Sequence, residues 1–257
     1  MIWKLRRYRS SLDSAPRRSA LRRVISVLGW ALWLVVFLLI VDSFYLVLTW
    51  PDWARLSAGP IPKSQFIRDY QQRRNQDRSL PSLRWQPVAL ARIPTYVQRA
   101  VILAEDSRFY QHSGFDLIAF KEAMDYNVAQ RRFALGASTI SQQTVKNLFL
   151  NPSRNPLRKW HELILTWGME HNLAKDRVLE IYLNIAELGP GIYGVEAASW
   201  AYWSKSVGTL TLTEAAALAA TLPSPKKHNP ATRTERFTKR VHKIMRFLEH
   251  FGLDSTS

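Results

Sequence analysis

Along residues 94–230 the apolar positions return at steps of three and four, the period of an amphipathic helix, and nowhere do they alternate long enough to suggest a strand. Val97, Ala100, Val101 and Ala104 follow Pro94, a residue suited to a first helical position, and predict a helix that runs up to Glu105. Asp116 is placed to cap a second helix toward Ala129. Thr139 and Gln142 have the spacing of a capping box and open a third helix carrying Ile140, Val145 and Leu148. After a break at Asn151, Pro152, Asn155 and Pro156, an apolar stripe follows, made of Leu157, Trp160, Ile164 and Trp167. Helical geometry then puts Arg158, Lys159 and Glu162 together on the opposite face. Lys175 to Asn184 reads as another helix, with Val178, Leu179 and Leu183 in the core. Gly189, Pro190, Gly191 and Gly194 mark a turn, and Thr211 with Glu214 opens an Ala-rich helix that stops at Pro223. The expected class is mainly α.

Upstream the pattern is different. Val24 to Val41 is an unbroken run of 18 uncharged, mostly apolar residues, and the apolar character resumes after Asp42 as far as Trp50. A helix needs roughly 20 residues to cross the hydrocarbon layer, so 24–50 is expected to be a transmembrane anchor, with Trp50 and Trp53 at its far interface. A buried core helix and a cleaved leader are the rivals; core helices rarely run so long without a charge, and a leader's apolar region is typically shorter. Residues 51–84, with Pro51, Pro60, Pro62 and Pro81, read as a linker or extended lead-in to a folded domain over 85–257.

Charge adds an orientation. Residues 1–23 form a basic tail with eight Lys and Arg against one acid, Asp13, which by the positive-inside bias stays cytoplasmic. From Pro51 onward, 28 basic side chains face 18 acidic ones, which favours anionic partners such as a lipid pyrophosphate or a membrane surface. No zinc-finger, homeodomain or aromatic-interleaved motif accompanies that charge, so nucleic acid is not an expected partner. With no cysteines, the chain relies on packing rather than disulfides.

Two acids stand out as candidate chemistry. Glu105, at the end of an apolar helix, is partly desolvated, and its pKa is expected to rise toward a value useful for proton transfer. Its structural alternative is an i,i+3 pair with Arg108. Glu162 is either the anion of a solvated ion-pair face or part of a phosphate site with Arg154, Arg158 and Lys159. Ser138, Thr139 and Gln143 could hydrogen-bond a sugar or phosphate and Lys146 add a point charge, or all could belong to ordinary amphipathic surface. His112 reads as a hydrogen-bonded structural residue, while Asn184 and Glu187 divide evenly between site wall and scaffold. His161-Glu162 lacks the second His of a zinc-protease motif.

Taken in order, Ala104 to Asp116 (AEDSRFYQHSGFD), Gly136 to Gln143 (GASTISQQ), Arg154 to Glu162, and Lys175 to Asn184 (KDRVLEIYLN) resemble the signature of the peptidoglycan glycosyltransferases of the lysozyme-like superfamily. Nearly all of residues 85–230 takes part, with Ser141 standing where Thr is usual. The resemblance implies a lysozyme-like α-helical domain that polymerises lipid II into β-1,4 glycan strands. The incoming 4-hydroxyl would attack, with inversion, a growing strand carried on undecaprenyl pyrophosphate. It implies Glu105 as general base and Glu162 as the second catalytic acid, with Arg154 and Lys159 holding the leaving group. No cofactor is required; a divalent cation, Mg or Mn, is left open. Partners would be lipid II, the lipid-linked strand, the membrane, and proteins of division or elongation. The site would lie outside a bacterial inner membrane, on a single-pass anchor whose N-terminus is cytoplasmic, and Phe133 and Leu135 would help dip the domain into the bilayer. Because the last motif lies near Asn229-Pro230, a monofunctional enzyme without a transpeptidase domain is expected. The alternative is a murein-cleaving lytic transglycosylase or lysozyme-like hydrolase, which needs neither the basic cluster nor the anchor.

Overall fold

The computed structural model describes residues 15–132, 136–152 and 155–250. Phe133, Leu135, Arg154 and the basic tail up to residue 14 lie outside the described residues. The chain divides into two units, residues 1–51 and 52–257.

In the first unit a single helix, α1, runs over Ala15–Leu48. Its stretch Arg22–Leu48 is long and apolar enough to cross a membrane. All the large apolar side chains of that stretch except Leu46 are exposed, Trp30 and Trp33 included, unlike those of a buried core helix.

The second unit begins earlier than its sequence suggests. Residues 51–84, expected as a linker or extended lead-in, carry α2 (Trp53–Ala58), α3 (Gln65–Gln76) and the start of a small sheet. Ser64 caps α3 by accepting the Ile67 N–H, which lets Ile67 and Tyr70 turn into the core. The prolines fall between these short helices and shape their ends; they do not keep the segment extended.

Helix α4 (Thr95–Glu105) starts one residue after Pro94, which takes the cap position. Helix α5 (Leu117–Ala129) is capped by Asp116, whose carboxylate accepts the Ile118 and Ala119 N–H groups. Thr139 and Gln142 form the capping box of α6 (Ile140–Phe149), and Asn155 caps α7 (Pro156–Asn172). Then come α8 (Lys175–Ile185), α9 (Val195–Trp203), α10 (Leu212–Thr221), with its Thr211–Glu214 box, and α11 (Glu235–His250).

These helices pack in two groups. The buried alanines 215–217, 219 and 220 let α10 lie close against α4 and α11, whose Phe237, Val241, Ile244 and Leu248 face inward. In the other group α6 packs on α7 and α8, with α3 against α6. The glycine-rich turn is the hairpin of β2 (Glu187–Gly189) and β3 (Ile192–Tyr193), and β1 (Arg84–Trp85) joins β3 in parallel. Strands this short leave no alternation to read in the sequence.

Asn184 is fully buried and scaffolding: its amide exchanges hydrogen bonds with both backbone groups of Val88 and donates to the Glu180 carbonyl. Gly194, beside it, has φ +82 and ψ 152, a region open in practice only to glycine. A Cβ there would stand 2.6 Å from the Asn184 carbonyl oxygen. Gly194→Ala is therefore expected to cost about 2–3 kcal/mol, read as a drop of about 5–10 °C in the melting temperature of the full chain in detergent.

Candidate active site

The end of α4 and the start of α6 are tied by Asp106, which follows Glu105. Its buried carboxylate accepts the Ile140 N–H at 2.9 Å, at the first residue of α6, and holds His112 Nε2 at 2.9 Å. Thr139 adds a second tie, donating its hydroxyl to the Gly114 carbonyl at 2.7 Å while capping α6. Two sequence blocks separated by a whole helix are thereby brought edge to edge. Thr139, a sugar- or phosphate-binding candidate by sequence, is buried with its hydroxyl and N–H engaged in capping, so it shapes the site from beneath.

Glu105 is held at both oxygens. Gln143 Nε2 donates to Oε2 and Arg240 Nη2 to Oε1, each at 3.0 Å. The i,i+3 partner considered from sequence is engaged elsewhere: Arg108 forks onto both oxygens of Asp116, at 2.9 and 2.7 Å. Burial pushes the Glu105 pKa above the ordinary carboxylate range, and Gln143, Arg240 and Lys146 pull against that rise without cancelling it. Gln143, expected on the ligand, has its amide engaged by Glu105 on one side and by the Tyr182 hydroxyl, at 3.1 Å, on the other. Sequence reasoning missed Arg240. It lies 135 residues from Glu105 on a helix rich in Lys and Arg, where nothing local distinguishes it from its neighbours.

Helix α7 inverts the expected amphipathy. Its apolar stripe, Leu157, Trp160 and Trp167, faces outward, with Trp167 56% exposed, while Glu162 is buried at 3%. Arg158 Nη1 donates to one Glu162 oxygen at 3.0 Å and Lys159 Nζ to the other at 2.5 Å. Lys146, on the neighbouring α6, has its pKa lowered by burial; Arg158 and Lys159 lower it further, and both Glu162 and Glu105 raise it. One ammonium thus feels both acids. The solvated-face reading of Glu162 fails, because a solvated carboxylate would not be enclosed by its partners.

Two adjoining hollows open along this arrangement. One, of about 200 Å³, is lined by Glu105, Asp106 and Ser107; the other, of about 480 Å³, runs past Phe120 and Gln142 to Lys159. They share Asp116, Gly136, Ala137 and Ser138, so Ser138 lies in the wall common to the hollow of Glu105 and that of Lys159. Glu187 lies elsewhere, largely buried on β2 near Lys226 and Arg73.

Among the described residues, Asp106, His112 and Asp116 bring ligand-type atoms within 4.8 Å of one another. The carboxylates are taken by backbone N–H groups, His112 and Arg108, so the trio is a capping network and we assign no metal to it. Glu162 likewise has both oxygens occupied by cations.

A family model described as transglycosylase matches residues 74–254. A biosynthetic peptidoglycan transglycosylase of Methylobacillus flagellatus is 36% identical over 88% of this chain and 99% of its own. Proteins of that name from Bordetella avium and Cronobacter sakazakii are 39% and 37% identical, over 91% and 95% of this chain and 97% and 94% of theirs. The chain belongs to the transglycosylase family.

The electrostatics give a direct test. Glu105 is expected to titrate, by carboxyl NMR, above the ordinary value of about 4.3, and Arg240→Leu to raise it further by removing a stabilising cation. Because the folded pKa is raised, the native state keeps this proton longer than the unfolded chain. The group's contribution to stability therefore falls as pH climbs from the ordinary carboxylate range to the raised value. A titration at or below the ordinary value would contradict the site's geometry.

Proposed function

We propose that this protein is a peptidoglycan glycosyltransferase of cell wall synthesis that polymerises lipid II into β-1,4 glycan strands. The observation that carries the reading is a desolvated carboxylate, Glu105, in one hollow that shares a wall with a second lined by Lys159, a cation held by the buried Glu162. The curated names of the relatives support the substrate class.

In this reading the 4-hydroxyl of the incoming lipid II lies against Glu105, which removes its proton as the oxygen attacks the anomeric carbon of the growing strand. The new O4–C1 bond forms on the face opposite the breaking C1–O bond, the configuration inverts, and undecaprenyl pyrophosphate departs with the bonding pair. Lys146, Arg158 and Lys159 stabilise the charge that develops on the pyrophosphate, with Arg154 joining them from the same motif. Glu162 keeps Arg158 and Lys159 gathered, since three cations drawn together without it would repel. Ser138 donates to sugar or phosphate from the groove wall. The exposed Leu117, Ile118 and Phe120 of α5 and the outward tryptophans of α7 suit an apolar surface that meets the lipid of both substrates. Helix α1 would hold the enzyme in the cytoplasmic membrane, tail inside and the second unit outside.

Glu105→Gln is expected to abolish polymer formation from fluorescent lipid II, by at least about 100-fold, while leaving expression and melting behaviour near those of the unaltered protein. Polymerisation at the unaltered rate would remove Glu105 as base. Release of soluble fragments from purified sacculi, with no polymer from lipid II, would favour a murein-cleaving enzyme instead. For the orientation, protease added to the outer face of spheroplasts is expected to digest the second unit; complete protection would overturn it.

A further inference from the structure

Behind Glu105 lies a group from the Lys175–Asn184 block to which the sequence gives no role. Tyr182, on α8, is 1% exposed, and its hydroxyl donates to Gln143 Oε1 at 3.1 Å. The amide of Gln143 is consequently oriented with its NH2 toward Glu105, where it donates to Oε2 at 3.0 Å. An amide turned the other way would present its carbonyl to the carboxylate and its NH2 to the phenol. The phenolic O–H would then have lost its one hydrogen-bond acceptor inside the protein, at a cost typical of a buried unmade hydrogen bond.

We propose that Tyr182 is a positioning residue for the base: its hydroxyl locks the Gln143 amide with the donor side toward Glu105. The inference rests on Glu105 being the base and adds what keeps that base ready. The lock acts on the protonated acid. A neutral Glu105 carboxyl is best satisfied by an amide carbonyl, which requires the turned amide, and Tyr182 opposes that turn. A carboxylate is best satisfied by the amide NH2, and Tyr182 favours that. The phenol therefore biases Glu105 toward the form that can accept a proton, against the burial that pushes its pKa up. Burial also raises the Tyr182 pKa well above that of a free phenol, so the hydroxyl remains a donor at every working pH.

The other groups facing Glu105 are fixed in sign. Arg240 of α11 and Lys146 of α6 favour the carboxylate, and Asp106, next in the chain, disfavours it. Helix α10, also packed on α4, presents only Ala, Leu and Thr at its buried positions. None of these three charged groups can exchange donor for acceptor as an amide can.

The test is the pH profile of polymerisation by the full chain in detergent, with lipid II below saturation. Tyr182→Phe keeps the ring and removes the lock. Its acid limb is expected to move up by about 1 pH unit, because the protonated acid gains a hydrogen bond to the amide carbonyl once nothing opposes the turn. The rate on the acid side would fall about 10-fold and the alkaline plateau far less. In a Gln143→Leu background, where there is no amide to orient, the same change is expected to produce no further shift. A uniform loss across pH with an unmoved limb, or an equal shift in both backgrounds, would reduce Tyr182 to packing and overturn the proposal. Should Tyr182→Phe not fold, 3-fluorotyrosine at position 182, a stronger donor of the same shape, is expected to move the limb down; an unmoved limb again overturns it. Full activity of Glu105→Gln would instead sink the assignment of the base, a result separable from either.

Discussion

A buried carboxylate that accepts the first N–H of a helix sets the geometry around it. Asp106 does this for α6, and because it directly follows Glu105, the same bond that starts one helix fixes where the other ends. The helix terminus favours the negative charge, and His112 holds the other side of the group. Gln143 and Lys146 then follow along α6 at positions that helical geometry aims toward Glu105. Had the acid and the helix been joined by a flexible loop, none of the distances around Glu105 would be fixed.

The second consequence is electrostatic. Two acids buried in one region would each resist ionisation, and three cations gathered beside them would repel one another. Interleaving them makes each tolerable: Arg158 and Lys159 on Glu162, Arg240 on Glu105, and Lys146 between the two acids. At Lys146 burial and the two neighbouring cations outweigh the two acids, so its pKa stays below the ordinary value for a lysine.

Much of the helical framework could be read from periodicity and caps, because capping is local chemistry: Thr139 with Gln142, Thr211 with Glu214, and Asp116 each sit where their spacing predicts. What sequence could not supply is burial. From spacing alone Glu162 belongs to a polar face and Trp160 to an apolar one, and ordinary helices bury the latter. Here α6 supplies Lys146 to the polar face, and the apolar face is left outward. The folding of 51–84 was hidden for a similar reason, since Ile67 and Tyr70 find partners far along the chain. Tyr70, for instance, stacks edge-on against Tyr193. Arg240 was hidden by its distance along the chain, and Tyr182, though inside the Lys175–Asn184 block, reads there only as one more buried helix position.

Helix α7 carries a further implication for handling the molecule. A surface of exposed tryptophan and leucine on the second unit belongs to that unit and not to α1. Cutting away the N-terminal helix would accordingly not yield a particle indifferent to amphiphiles: the trimmed protein is expected to cling to micelles and to self-associate in plain buffer.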